Sequence, residues 1–311
     1  DIEVLASATF ARGGVFAKLT APFQILRGIM GAIATMRQDW PAVVVGFGGY
    51  PAIPAIAAAW FLRLPRMIHE QNGVLGRVNH LFAKRVNVVA CGTWPTELPS
   101  GGNGIFTGNP VRAAILDRAG ARYQPQDTGI KLVVFGGSQG SKIVSDAAAK
   151  AVALLSDGIR AKLSVTHQAR EEDAPDIKGV YAEAGVPAAV TNFIDDMPDR
   201  LTEAQLVLCR SGASSVADVT VVGRPAIFVP LAMAIRDEQT ANARAMAQAG
   251  GAIVIQEGDL TPQRLAEDIT RILTTPGKGD EMAAAALTCG RPDATDALLD
   301  IAQKQAQKDR S

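Results

Sequence analysis

Apolar runs and helix-forming stretches alternate along this chain with a regularity that points to its architecture. Strand-like runs at 42–45, 66–69 and 86–90 have the character of strands in a parallel sheet, and helical composition fills 52–62 and the residues from about 75. A second alternation begins at Lys131 with a strand, a glycine turn and a helix to about 155. Further strand-like runs follow at 162–167, 189–193, 206–209, 226–229 and 252–255, with helical segments between them and a last helix from near Asp293. Such alternation predicts an α/β protein with parallel sheets covered by helices. Between the two series, AAILDRAGARYQPQDTG (113–129) carries Pro, Gly and polar residues without strong periodicity, as a connecting segment does. The pattern therefore predicts a Rossmann-like domain over 1–112, a linker over 113–129, a second Rossmann-like domain over 130–290 and a terminal helix within 291–311.

Length and composition support that division. At 311 residues the chain has room for two cores, and 48% hydrophobic with 20% charged residues and 30 glycines is an α/β profile rather than a disordered or fibrous one. Lys plus Arg and Asp plus Glu are both 31, so no overall field favours nucleic acid, and no nucleic-acid partner is expected. The halves differ: residues 1–112 hold 10 basic and 5 acidic side chains, a balance of +5, and residues 113–311 hold 21 and 26, a balance of −5. A basic first half fits an anionic membrane surface or a phosphorylated ligand, and it fits ordinary solvated charge equally well. Cys91, Cys209 and Cys289 are odd in number and far apart, which indicates neither a disulfide framework nor a zinc site and fits a reducing cytoplasm. The longest apolar run, 52–62, has 11 residues including Pro54 and falls short of the ~20 that a membrane span needs. The opening DIEVLASATFARGG lacks the layout of a signal peptide, has no initiator Met and starts in mid-pattern, so further residues are expected upstream.

In open α/β sheets, ligands sit beyond the carboxyl ends of the strands, and four turns there carry candidate chemistry. GFGGYP (46–51) starts like a dinucleotide fingerprint, but Pro51 stands in place of the third glycine, so it reads equally as a tight strand-to-helix turn. HEQNG (69–73) has no second His for a metal pair, and its Asn72-Gly73 step predicts a left-handed turn that exposes an amide. GGSQG (136–140) joins a buried strand to a helix, where glycines allow close backbone approach and the helix N-H groups favour an anion. RSGASSVAD (210–218) places Gly212, Ser214 and Ser215 before a helix as a second anion cradle, with Asp218 one turn in as an acceptor for a ribose diol. DEQTANA (237–243) adds polar side chains suited to sugar hydroxyls at another helix start.

Taken together, VVVGFGGYP, IHEQNGVLGRVN, TGNPVR, VVFGGSQGS, FIDDM, CRSGASSVAD and DEQTANA come in the order and approximate spacing of the MurG family, over about residues 2–305. The chain resembles these bacterial N-acetylglucosaminyltransferases, which convert lipid I to lipid II in peptidoglycan synthesis. The resemblance implies a GT-B fold, two Rossmann-like domains with parallel sheets facing across a cleft that holds a nucleotide sugar. It implies that Ser138 contacts the diphosphate, Asn72 the donor sugar and Arg112 the neighbourhood of the nucleotide. By the same resemblance the backbone of Ile194 pairs with uracil, the run Ala213, Ser214, Ser215, Val216, Ala217 and Asp218 lines the diphosphate and ribose, and Gln239 holds sugar hydroxyls. Two departures stand out. Asp218 occupies a position where the family usually has Glu, and the family's G-G-T-G-G-H loop, whose His is the usual candidate base, is absent from this sequence, which leaves the catalytic residue unassigned with His69 and Glu70 next in line.

The function implied is inverting transfer of N-acetylglucosamine from UDP-N-acetylglucosamine to lipid I, a polyprenyl-linked acceptor, by a peripheral enzyme on the cytoplasmic face of the bacterial inner membrane. No cofactor and no metal are expected, since helix N-termini and N-H cradles can stabilise a departing diphosphate. A UDP-N-acetylglucosamine 2-epimerase and a non-catalytic two-lobed sugar-binding protein are the alternatives.

Overall fold

The computed structural model of the chain describes residues 15–124, 129–137 and 140–308. Two compact units result, one formed by 1–109 with 293–311 and the other by 110–292. The opening residues 1–14 and the contact expected at Ser138 lie outside the described residues.

In the first unit, α1 (Val15–Gln38) precedes β1 (Val44–Gly46), α2 (Ala52–Phe61), β2 (Arg66–Glu70), α3 (Arg77–Phe82), β3 (Val88–Cys91) and β4 (Gly104–Phe106). The strands form a parallel sheet in the order β1-β2-β3-β4. The apolar runs predict the first three strands to within two residues at each end. The short β4, with Gly104 and a half-exposed Ile105, gives no comparable signal. Ile56, Leu64, Ile68, Leu75, Phe82 and Val89 fill one side of this sheet. The final helix α13 (Ala294–Lys308) belongs here too: Ile301, Leu298 and Ala302 pack on Met67, Val88 and Ala90, covering the other face. The end of the chain thus returns to the sheet with which it began.

The second unit holds α4 (Ala113–Leu116), β5 (Ile130–Phe135), α5 (Lys142–Ala153), α6 (Asp157–Arg160), β6 (Leu163–Gln168), α7 (Ala174–Glu183), β7 (Ala188–Thr191) and α8 (Met197–Glu203). It continues with β8 (Leu206–Cys209), α9 (Ala213–Val222), β9 (Ala226–Phe228), α10 (Glu238–Gln248), β10 (Ala252–Val254), α11 (Pro262–Thr274) and α12 (Lys278–Cys289). All six strands are parallel, in the order β10-β9-β8-β5-β6-β7. Strand order reverses at β5, so the turn after Phe135 opens at a topological switch point, where such sheets bind ligands. Two apolar clusters sandwich the sheet, one with α5, α7 and α11 and the other with α9, α10 and α12.

The expected linker needs correction. Residues 113–124 pack within the second unit: Ile115 is fully buried in its core, and the Gly120 amide donates to the Val221 carbonyl at 2.9 Å. Their fixed course is decided by Arg224, which is fully buried. Its guanidinium donates to the carbonyls of Ala121 and Arg122, to Leu201 and Thr202 at the end of α8, and to Val222 and Gly223 at the end of α9. A residue about a hundred positions away thus supplies the order that local composition does not announce.

Candidate functional site

Several strand ends of the second unit converge on a pocket of about 500 Å³, into which Gly136, Ser141, Arg210, Ser215, Asp218 and Gln239 all face. At the β5 end, the chain folds back so tightly that a Cβ on Gly136 would lie 2.3 Å from the Ser141 nitrogen, and Gly137 and Gly140 have φ of 84° and 69°. Only glycines adopt this course cheaply. Ser141 caps α5, its hydroxyl accepting from the Val144 amide. At the β8 end, Gly212 precedes α9 with no side-chain cap, so the first-turn N-H groups of that helix are presented beside Ser214 and Ser215. Two helix starts therefore bring partial positive charge to one cavity.

Asp218 lies one turn into α9 with its side chain 17% exposed and 3.7 Å from Arg112. Burial raises its carboxyl to about pH 6 in pKa, and the Arg112 charge only partly opposes that shift. Gln239, in the first turn of α10, accepts from the Leu231 amide through Oε1 at 3.0 Å, which leaves its NH2 group as the donor for a ligand. Ile194 is buried and lines the pocket together with the exposed Phe193.

Of the residues singled out in the sequence, the structure thus gathers Arg112, Ile194, Ser214, Ser215, Asp218 and Gln239. Three members of the expected run take other positions: Val216 turns inward against the core, and neither Ala213 nor Ala217 lines the cavity with its side chain. Helical geometry explains this, since six consecutive residues cannot share one face. Asn72 lies in the first unit, and its turn is not left-handed. Glu70 holds it instead, Oε1 accepting from both the backbone and the side chain of Asn72, while Oε2 accepts from the Gly76 amide and Asn79. His69 is equally enclosed, with Nε2 3.4 Å from the Gly108 carbonyl, and burial lowers its pKa. Neither His69 nor Glu70, at 1% and 2% exposure, presents a base to solvent. Both act as the scaffold of this turn.

Sequence reasoning passed over Arg210, Ser141, Gln168 and Leu231, all of which line the pocket. The signal for Ser141 was present, a Ser just before a helix. Arg210 stood inside a motif already singled out, but a lone Arg at a strand end carries no mark of its future partners.

Comparison with known proteins agrees with this geometry. The model of the glycosyltransferase family 28 C-terminal domain matches residues 131–299, and that of the family 28 N-terminal domain matches residues 1–91. The UDP-N-acetylglucosamine–N-acetylmuramyl-(pentapeptide) pyrophosphoryl-undecaprenol N-acetylglucosamine transferase of Allorhizobium ampelinum is 42% identical over 98% of this chain and 83% of its own length. The same-named transferase of Brucella abortus is 43% identical over 97% of this chain and 80% of its own length. The crystal structure of MurG from Acinetobacter baumannii superposes with a TM-score of 0.78 at 32% identity, covering 96% of this chain and 83% of that one. A UDP-N-acetylglucosamine 2-epimerase from Listeria monocytogenes reaches 0.67 at 14% identity, a likeness of fold alone. With two parallel-sheet units and both family 28 domains, the fold is GT-B, and the chain belongs to the MurG family of glycosyltransferases.

Proposed function

We propose that this protein transfers N-acetylglucosamine from UDP-N-acetylglucosamine to the C4 hydroxyl of the muramyl sugar of lipid I, with inversion at C1, forming lipid II. The convergence of two helix starts, a ribose-suited carboxylate and a sugar-suited amide on one pocket carries this reading. The Gly136–Gly140 turn and the start of α9 bind the diphosphate, the Ile194 backbone meets uracil, Asp218 accepts from the ribose diol and the Gln239 amide donates to the sugar. Arg112 approaches the nucleotide, Ser138 contacts the diphosphate, and Asn72 meets the donor sugar. In the chemical step the acceptor oxygen bonds to C1 as the C1–O bond to UDP breaks, and the hydroxyl proton leaves to a base. Negative charge then builds on the diphosphate, where prearranged N-H groups stabilise it most.

A lipid I analogue with labelled UDP-N-acetylglucosamine tests the assignment. The expected products are UDP and a β-linked disaccharide lipid. Formation of UDP-N-acetylmannosamine without an acceptor would point to the epimerase instead, and binding without any turnover to a sugar-binding protein.

The first unit is proposed to rest on the anionic cytoplasmic face of the inner membrane. Phe23, Leu26 and Met30 form an exposed stripe on α1, spaced as one helical face, with Arg27 beside it. Among the described residues no helix is long and apolar enough to cross a membrane. Together with the +5 balance of residues 1–112, this predicts binding to anionic vesicles that weakens as salt screens charge over ~8 Å at physiological ionic strength. Sedimentation with anionic and neutral vesicles at rising salt is the measurement, and binding indifferent to both would count against the electrostatic part.

A further inference from the structure

Three consecutive residues after β9 are held by three different side chains. The Pro230 carbonyl accepts from Arg210 Nη1 at 3.0 Å, the Leu231 amide donates to Gln239 Oε1 at 3.0 Å, and the Ala232 amide makes a long 3.5 Å contact with Glu257 Oε2. Glu257 links two of these anchors directly. It lies on the short turn after β10, and the same Oε2 pairs with Arg210 Nη1 at 2.6 Å. Arg210 in turn donates through Nη2 to the Ser141 hydroxyl at 2.9 Å and through Nη1 to the Val229 carbonyl. One ion pair therefore joins the carboxyl ends of β10, β9, β8 and β5, four neighbours in the sheet.

The pair is 7% and 17% exposed. Buried ion pairs contribute little to stability over an apolar replacement, because desolvation offsets attraction, and their clearest use is in fixing one arrangement. Strain at the site agrees with such a use. Between the pinned residues 230–232 and Gln239, Arg236 and Asp237 take left-handed conformations, with φ of 57° and 54°. Side chains with a Cβ hold that conformation only where their surroundings impose it.

We propose that Glu257 is a positioning residue for the donor, setting Arg210 at the floor of the diphosphate site and the Gln239 loop at the sugar site as one unit. The proposal rests on the donor-site assignment above. Arg210 holds the start of α5 through Ser141, and Gln239, braced by the Leu231 amide, presents its NH2 group to the sugar. Loss of Glu257 releases Ala232 directly and Pro230 through Arg210, so the sugar contact suffers first, the diphosphate next and the uracil end least.

Calorimetric titration of the full chain with uridine, UDP and UDP-N-acetylglucosamine tests this. For Glu257→Ala, affinity for the sugar nucleotide is expected to fall roughly tenfold, the scale of one charge-assisted hydrogen bond. UDP is expected to lose about threefold and uridine less than about twofold, fractions of that same scale. Glu257→Gln keeps an acceptor oxygen and is expected to stay within about threefold of the parent for all three ligands. In the Glu257→Ala/Gln239→Ala double variant the losses should not add, because the effect on the sugar passes through Gln239. Equal losses for all three ligands that track a drop in melting temperature, or full additivity in the double variant, would overturn the proposal in favour of a purely structural pair. Equal affinity of the unaltered protein for uridine and the sugar nucleotide would instead remove the donor-site assignment, and the proposal with it.

Discussion

Asp218→Asn is expected to weaken UDP-N-acetylglucosamine binding by roughly 5- to 150-fold, since a charge-assisted hydrogen-bond pair is worth about 1 to 3 kcal/mol more than its neutral substitute. The same change should leave the second unit as stable as before or more stable. The carboxyl pKa is raised by burial from 3.8 to about 6, so the ionised form is disfavoured in the folded protein. The stability cost is absent below about pH 4, where folded and unfolded chains both carry the neutral acid. It grows as pH rises towards 6 and is complete above that value, at about 3 kcal/mol for a shift of this size. Asn carries no such cost at neutral pH. Binding has the opposite dependence on pH: a ribose diol donates to the carboxylate, so affinity should fall about tenfold per unit below pH 6 in the parent and stay level in Asp218→Asn. UDP-N-acetylglucosamine is the ligand to use, because its diphosphate is a diester and does not titrate in this window. Titration calorimetry from pH 5 to 8, with thermal melts alongside, measures both effects. A parent affinity that ignores pH, together with unchanged affinity in Asp218→Asn, would remove the ribose role.

Arg224→Met should cost about 3 to 5 kcal/mol. Six carbonyls from three segments converge on this buried guanidinium, and its charge also lies 5.9 Å over the Tyr123 ring. Methionine fills much of the volume but supplies none of these six hydrogen bonds. Arg224→Lys keeps the charge and can satisfy about three of the six, so an intermediate loss is expected. For a unit of this size the melting temperature should drop by roughly 10 °C in the methionine variant. Residues 117–124 should also become open to protease, because their course depends on the bonds to Ala121 and Arg122. Melting within 2 °C of the parent, or unaltered proteolysis, would show that α4 and Ile115 hold the segment by themselves.

The sequence by itself determined the α/β class and most strand positions. Strands such as Leu206–Cys209 are buried on both faces, so they must be continuous apolar runs, and such runs are visible without knowledge of their neighbours. Glycine turns at Gly136 and Gly212 were legible for a similar reason, because the backbone course they permit is a local property. Helix α1 was not, since a residue such as Ile29 is apolar on account of the core cluster it packs against and the exposed Phe23 stripe blurs the period. Only the tertiary structure decided where the ends of each domain belong, with residues 113–124 ordered by Arg224 and α13 returning to the first sheet. It also decided which residues of the site act together. The Glu257 pairing with Arg210 joins two separate strand ends, the orientation of the Gln239 amide is set by the Leu231 backbone, and the raised pKa of Asp218 follows from burial. Composition and spacing report what a residue prefers locally, whereas ion pairing, burial and hydrogen-bond direction are set by what the fold places beside it.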